Sequence, residues 1–286
     1  MKQDRFIAFI LLMLALSALS GLVLITVFIF KEGLPLILQT GFRDFFLSSD
    51  WDPKGEHFGI LSMIVGSLAV TVGAMAIGAV FGLGMAIVLT QFCPPGLVSI
   101  LKPLIELLAG IPSVVYGFMG VVTIVPLIRN HLGGPGLSVL AASIVLGIMV
   151  LPTVTSISVD ALKAVPRAYW EGSVALGATK WQTTHMLMLK AARSGILAAI
   201  ILGMGRALGE TMAVIMVAGN ALEIPGSPLD PVRTLTSNIA LEMGYATGRH
   251  REALFATGVT LFVFIMIFNT TALAISRRSA GKGGGR

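Results

Sequence analysis

Six long apolar blocks, separated by polar segments, dominate the pattern of the chain. They cover approximately residues 6–30, 59–89, 98–128, 137–157, 194–219 and 253–275. A helix crosses a bilayer in roughly 20 residues, at ~1.5 Å of rise per residue, so each block is long enough to span. The pattern therefore predicts an all-α membrane protein in which residues 1–286 form one domain with six transmembrane helices.

The first block has a second interpretation as a secretory signal peptide. It follows the charged start MKQDR, and Ala18-Leu19-Ser20 resembles a cleavage site. However, the apolar run continues for ten residues beyond Ser20, which is longer than the apolar core of a signal peptide should be. We therefore expect this block to be retained as a transmembrane helix.

Proline and glycine mark where the spans should break or pack closely. Pro112, in AGIPSVVYG, predicts a kink or a break near Ile111, and Pro152 should interrupt the end of the fourth block, because proline lacks a backbone donor and disfavours helix before it. Gly78 and Gly82 are spaced as GxxxG, which allows close packing of helices in lipid.

Residues 158–193 differ from the apolar blocks. They are amphipathic and helix-forming but too polar to span a membrane. Pro166 should begin one short helix, and Gly177 should form a turn before a second. At the end of the chain, the basic tail 277–286 is predicted to be flexible.

Composition and charge agree with a membrane location. The chain is 55% hydrophobic and 12% charged, with a mean hydropathy of +0.90, whereas a soluble domain is about 25% charged. Lys and Arg number twelve on the side that would hold both termini and seven on the other. The positive-inside rule then places both termini in the cytoplasm. The net charge of +6 reflects this topology, so we expect contact with membrane lipid and not with nucleic acid.

Several kinds of chemistry lack the residues they need. The single cysteine, Cys93, excludes an internal disulfide, and a bystander thiol is favoured over a lipidation site. No GxxxxGK[ST] phosphate loop occurs, so ATP hydrolysis is expected on a partner chain. The sequence also shows no spacing of metal ligands and no pair of a nucleophile and a base. The four histidines are scattered, and we expect them to be solvated. We therefore predict a non-catalytic chain without metal or cofactor.

The stretch GMGRALGETMAV places two full charges, Arg206 and Glu210, inside the fifth apolar block. A charge at the centre of a membrane helix costs about 2.5–3.5 kcal/mol on the insertion scale, so both residues need partners or water. Their i,i+4 spacing predicts one helical face and a mutual ion pair. The pair either fixes helix packing or marks a substrate pathway. We favour the pathway, because intramembrane charges usually mark substrate routes. Gly205 and Gly209 leave a small-residue strip alongside, where another backbone or an ion can approach.

A recognisable motif lies in residues 158–193, hereafter the coupling segment. Glu171-Gly172-Ser173, then Gly177, then Leu187-Met188-Leu189 resembles the EAA loop of ABC importer permeases. That resemblance implies two short helices that dock in a groove of an ATPase subunit. The residues expected to make the contact are Glu171, Gly177, Ala178, Trp181 and Leu187. The sequence departs from the motif where Gly172 and Ser173 replace two alanines and Lys190 replaces a proline.

The resemblance extends over residues 109–220, through AGIPSVVYGFMG, LPTVTSISVDALKAVPRAYWEGSVALGATKWQT and GMGRALGETMAVIMVAGN. These stretches are similar to the C-type permeases of phosphate-specific ABC importers. The resemblance implies a type I importer permease fold in a bacterial inner membrane. It also implies a second, A-type permease subunit, two ATPase subunits and an extracytoplasmic phosphate-binding protein. The alternative is a gradient-driven anion channel or secondary transporter that needs no ATPase.

Phosphate recognition suits the residues around the two charges. The planar guanidinium of Arg206 can bind an oxyanion bidentately, Glu210 can hold it in place, and Thr211 offers a hydroxyl. Ser113 and Tyr116, beside the proline break, can supply further donors, although packing alone also explains them. We predict these five residues as the substrate pathway.

Overall fold

A computed structural model describes residues 2–281, with side chains described for residues 6–271. The helices are α1 Lys2–Thr40, α2 Phe42–Leu47, α3 Leu61–Ile87, α4 Pro95–Ala109, α5 Ser113–Met119, α6 Val125–His131, α7 Val139–Lys163, α8 Arg167–Ala175, α9 Lys180–Gln182, α10 Leu189–Ala191, α11 Arg193–Gly209, α12 Met212–Val217, α13 Leu235–Glu242 and α14 Gly248–Gly281. Three π-helical segments, Val88–Phe92, Gly120–Ile124 and Thr183–Met188, continue neighbouring helices. Strands β1 Trp51–Asp52 and β2 His57–Phe58 form an antiparallel hairpin.

The all-α class is confirmed. Five helical stretches are long and apolar enough to cross a membrane: Phe6–Thr40, Leu61–Phe92, Ser113–His131, Val139–Lys163 and Gly248–Thr271. A sixth is reached when Lys180–Ala191 and Arg193–Gly209, which meet at 71°, are taken as one broken span. These numbers refer to the part of the chain that the structure describes.

Two boundaries differ from the prediction for reasons visible in the packing. α1 continues through Pro35 to Thr40, because Leu36 and Ile37 extend its apolar side into a buried cluster with Leu254 of α14. α7 runs through Pro152 without interruption, so the expected break there was wrong. Pro152 is buried, and neighbouring groups can satisfy the backbone that a proline frees in a packed membrane helix.

The third apolar block is divided as expected, but more completely. α4 ends at Ala109 and α5 starts at Ser113, with Pro112 directly before it. α4 is therefore a separate helix, and the spanning stretch begins at Ser113. The last helix, α14, extends beyond the predicted sixth span to Gly281. Residues 282–286 of the predicted tail lie outside the described residues.

The core is built on α3 and α7, which run parallel and touch along their length. A Cβ added at Gly78 would lie 2.9 Å from the Gly147 carbonyl oxygen, and one at Gly82 would lie 2.9 Å from Cβ of Val154. Thr155 also donates its hydroxyl to the Gly82 carbonyl at 3.2 Å. The predicted close packing at the GxxxG glycines is thus confirmed.

The bundle has two ends, which we name for their contents. At the hairpin end, the β1–β2 hairpin and residues 218–247 cover the start of α3 and α7, and Val139 donates to the Asp230 carbonyl at 3.0 Å. At the coupling end, the coupling segment packs on the far ends of the same two helices, through a buried cluster that includes Ala86, Leu162 and Met188. Both ends therefore rest on the same helix pair.

Candidate functional site

The fifth apolar block is broken in its second half, next to the predicted charges. α11 ends at Gly209, Glu210 has an extended backbone (φ −70°, ψ 131°), and α12 begins at Met212. Thr211, between the helices, donates its hydroxyl to the Gly209 carbonyl at 3.3 Å. Arg206 lies in the last turn of α11, where the free carbonyls of a helix end favour a positive charge.

The expected ion pair between Arg206 and Glu210 is absent from the described side chains. Instead, Arg206 Nη1 donates to Thr153 Oγ1 at 3.4 Å, and Glu210 Oε1 accepts from the Ala213 backbone N–H at 3.1 Å. The prediction assumed one continuous helix, and the break at Glu210 removes the i,i+4 relation. Glu210 therefore satisfies a free donor in the first turn of α12, where a negative charge is favourable.

The face of α11 that carries the arginine is open. Arg206 is exposed, and so are Leu202 and Gly209 on the same helix. A Cβ built on Gly205 or Gly209 would meet no atom within 4 Å. The predicted space beside Arg206 is thus present in this single subunit.

α5 packs directly against α12 beside the break. A Cβ added at Gly117 would lie 2.9 Å from Cα of Ala213 and 2.8 Å from Sδ of Met216. The two helices therefore meet backbone to backbone, which only a residue without a side chain allows. This contact places the proline break of the third block next to the break of the fifth.

Of the two residues predicted from α5, Tyr116 has the clearer position. Its hydroxyl donates to the Leu108 carbonyl at 2.7 Å. Ser113 is the first residue of α5 and is half-buried. Both residues belong to the helix that packs against α12, but the phenol hydroxyl already has a partner.

Two threonines beside the break were missed by sequence analysis. Thr153 of α7 accepts from Arg206, and Thr236 of α13 donates its hydroxyl to the Glu210 backbone carbonyl at 2.9 Å. Neither lies near these charges in the sequence, and hydroxyls are common in membrane helices. No local signal could have identified them, except that Thr153 follows Pro152 in an apolar run.

The hairpin end holds a buried charged cluster centred on Glu242. Its Oε1 accepts from Arg233 at 2.6 Å, and its Oε2 accepts from Trp51 Nε1 at 2.9 Å and bonds His250 Nε2 at 2.8 Å. Arg233 also donates to Asn238 Oδ1 at 3.1 Å. The expectation that all four histidines are solvated was wrong for His250, because α14 begins at Gly248 and carries its ring into this cluster.

The coupling segment forms the two short helices that its motif predicts. Gly177 adopts φ +81° between them. Thr179 caps the second helix reciprocally with Gln182: Thr179 Oγ1 accepts from the Gln182 N–H at 3.2 Å, and Gln182 Oε1 accepts from the Thr179 N–H at 2.8 Å. Ser173 and Thr183 join the two helices through their hydroxyls at 2.9 Å. A serine in place of the usual alanine thus has a structural role here.

One face of the coupling segment is open and largely apolar. Leu176 is 91% exposed and Trp181 is 60% exposed, and Glu171 is exposed beside them. Ala178 and Leu187 line a cleft of about 770 Å³ on this face. Exposed apolar surface of this kind, next to polar residues, is typical of a site that another protein covers.

The opposite face joins the segment to the bundle. Thr183, Thr184 and Met188 are buried, and Met188 packs in the cluster that includes Ala86 and Leu162. The second helix then meets α11 at a bend of 71°. The coupling segment therefore leads directly into the helix whose other end carries Arg206.

A membrane bundle with a charged residue at a broken span, and with an exposed helix pair at one end, belongs to the class of transport permeases. The comparison with protein families agrees. The family model of the binding-protein-dependent transport system inner membrane component matches residues 78–281, and the chain belongs to this family. It is a multi-pass inner-membrane protein, and its partners in an ABC complex include an ATPase and a binding protein.

Curated relatives cover most of the chain. The probable ABC transporter permease protein YqgH of Bacillus subtilis is 42% identical over 89% of this chain and 84% of its own length. The phosphate transport system permease protein PstC of Xylella fastidiosa (strain Temecula1) is 35% identical over 95% of this chain and 89% of its own. The PstC of Haemophilus influenzae is 34% identical over 84% and 82%.

Solved structures show the fold independently. An inward-facing MetNI methionine ABC transporter matches with a TM-score of 0.64 at 19% identity, covering 80% of this chain and 99% of that one. A bacterial ABC transporter involved in import of the polysaccharide alginate matches with a TM-score of 0.64 at 16% identity, covering 93% and 95%. The predicted type I importer permease fold is therefore confirmed.

Proposed function

We propose that this chain is the C-type transmembrane subunit of an ATP-driven importer of inorganic phosphate and forms half of the translocation pathway. The names of the PstC relatives support phosphate as the substrate. The observation that carries the proposal is the exposed guanidinium of Arg206 on the open face of α11, inside an apolar block.

An exposed arginine at this depth must face water or protein. Contact with lipid costs about 2.5–3.5 kcal/mol even on the insertion scale. Thr153, at 3.4 Å, is the one hydrogen-bond partner of the guanidinium among the described side chains, and it carries no charge. The open face therefore fits an aqueous passage between this subunit and a second permease subunit.

The break supplies chemistry suited to a tetrahedral oxyanion. Arg206 stays charged at any relevant pH and offers a planar fork of donors. Because Glu210 caps α12 through Ala213, it does not compete with an anion for the guanidinium. The hydroxyls of Thr153 and Thr211 lie next to the same break and can contribute further hydrogen bonds. Ser113 and Tyr116 border the pathway from α5.

The proposed complex contains an A-type permease, two ATPase subunits and an extracytoplasmic phosphate-binding protein. Both termini and the coupling end then face the cytoplasm, and the hairpin end faces the binding protein. The ATPase covers the exposed Leu176 and Trp181, with Glu171, Ala178 and Leu187 at the edge of the contact. Its closure is transmitted through the second coupling helix to α11.

Phosphate uptake by cells that lack their own permease tests the proposal. We expect uptake only when this chain is produced together with its neighbours, with sulfate competing poorly. Arg206→Met should abolish uptake, and Arg206→Lys should keep only a small part of it, because lysine has no bidentate fork. Arg43→Lys makes the same exchange at an exposed arginine of α2 and should behave as wild type. Wild-type uptake by Arg206→Met, at equal membrane levels, would refute the pathway assignment.

Reconstituted vesicles distinguish the importer from a gradient-driven transporter. Vesicles that contain the whole complex should take up phosphate only with ATP on the coupling side and the binding protein on the other. Proton or sodium gradients alone should have no effect. Uptake driven by a gradient, without the ATPase subunits, would establish the alternative function.

A further inference from the structure

We infer that α13 is a strut that positions the break at Glu210–Thr211 and connects it to the Glu242 cluster of the hairpin end. Its first contact is the bond from the Thr236 hydroxyl to the Glu210 backbone carbonyl, at 2.9 Å. Thr236 is 7% exposed, so water cannot easily replace this bond. The carbonyl belongs to the residue at which the spanning helix is interrupted and has no helical partner of its own.

The other end of α13 is held more tightly. Both carboxylate oxygens of Glu242 are engaged, by Arg233, Trp51 and His250, and Glu242 is 8% exposed. These three partners come from three different segments: the hairpin, the loop before α13 and the start of α14. Charge-assisted bonds in a buried site are stronger than ordinary ones, so this end of α13 follows the hairpin end as one body.

The start of α13 is fixed to the core as well. Thr234 caps the helix by accepting from the Ser237 N–H at 3.2 Å, and Ser67 of α3 accepts from the Leu235 N–H at 2.9 Å. An eight-residue helix is roughly 12 Å long. With both ends bonded, it can pass a small displacement of the hairpin end to the Glu210 carbonyl without bending.

The strut gives the binding protein a mechanical route to the pathway, and this part of the inference rests on the proposed function. Docking at the hairpin end would move the Glu242 cluster, and Thr236 would carry that movement to the break beside Arg206. Thr236 and Glu242 are therefore positioning residues, which act through Glu210 and touch no substrate.

The test reads the geometry of the break without measuring transport. A single cysteine is placed at the break as Thr211→Cys in a Cys93→Ser background, and its rate of reaction with a methanethiosulfonate reagent is measured in membranes that contain the whole complex. Thr236→Val should change this rate by at least about fivefold, the effect of one lost hydrogen bond. Thr236→Ser, which keeps the hydroxyl, should restore the wild-type rate.

The matched control is Thr257→Val. Thr257 is also buried and donates to a backbone carbonyl, that of Ala253, but within its own helix, so its loss should leave the rate unchanged. Equal rates for Thr236→Val and wild type would overturn the strut. If Thr236→Val fails to assemble, Trp51→Phe decides, because it removes one bond to Glu242 at the far end.

Trp51→Phe should shift the labelling rate in the same direction as Thr236→Val. In the double variant, the fold-change in labelling rate should be smaller than the product of the two single fold-changes, because both substitutions act through one helix. Independent, multiplying effects would show that α13 transmits nothing. Since labelling requires no phosphate, a negative uptake result would refute the proposed function and leave this readout intact.

Discussion

The turn at Gly177 offers a clean test of how the coupling segment works. Gly177 adopts φ +81°, and a Cβ built on it would meet no atom within 4 Å. A side chain at this position therefore causes no clash, and only the left-handed backbone resists it. Gly172, five residues earlier in α8, also has open space around it, but it lies in a right-handed helix.

The expected energies differ in sign between the two glycines. A left-handed conformation costs a residue with a Cβ about 1–2 kcal/mol, which reduces the population of the turn about 5- to 30-fold. Valine at Gly177 should be worse than alanine, because β-branching further restricts the backbone. Asparagine should be tolerated, since it enters the left-handed region more readily. Alanine at Gly172 should stabilise α8 by up to about 1 kcal/mol.

Two measurements check this prediction: the amount of ATPase that copurifies with the permease, and phosphate uptake per assembled complex. Gly177→Val should lose most of both, Gly177→Asn should keep both, and Gly172→Ala should match wild type. Wild-type behaviour of Gly177→Val would remove the turn from the coupling mechanism. Equal loss in Gly172→Ala would show that any side chain on this surface disturbs docking, so that backbone strain is not the cause.

Other predictions concern packing and topology. Gly78→Ala should destabilise the purified subunit by about 1–3 kcal/mol, because its Cβ would lie 2.9 Å from a backbone oxygen of α7. The control is Gly84→Ala in the same helix, whose Cβ would have nothing within 4 Å. This variant should leave the melting temperature unchanged or raise it. Cysteines at Ser49 and Ser227 should react with an impermeant reagent added to intact spheroplasts, and one at Ser279 should not. Labelling of Ser279→Cys from outside would contradict the proposed orientation.

Much of this protein follows from local patterns in its sequence. The apolar blocks determined the helical membrane class, because any backbone that crosses lipid must satisfy its own hydrogen bonds. Pro112 marked the break before α5, Gly177 marked the coupling turn, and Gly78 with Gly82 marked a close helix contact. Each of these features depends on a few neighbouring residues and on the intrinsic limits of proline or glycine.

The tertiary structure decided how the charges are used. Arg206 and Glu210 have the spacing of a helical ion pair, yet Glu210 interrupts the helix and caps the next one. The sequence has no proline at that point, and Gly209, which ends α11, does not by itself distinguish a break from a close helix contact. The break is instead supported by packing against α5 and by the bond from Thr236, which no periodicity could indicate.

The same holds for the buried cluster at the hairpin end. Trp51 and Glu242 are 191 positions apart and bond directly, and His250 joins them from a segment that reads as a polar loop. Sequence patterns report on neighbours within one element, where spacing fixes which side chains share a face. Contacts between distant segments depend on how complete helices pack. Only the folded chain therefore shows which charges are paired in the interior and which, like Arg206, are exposed.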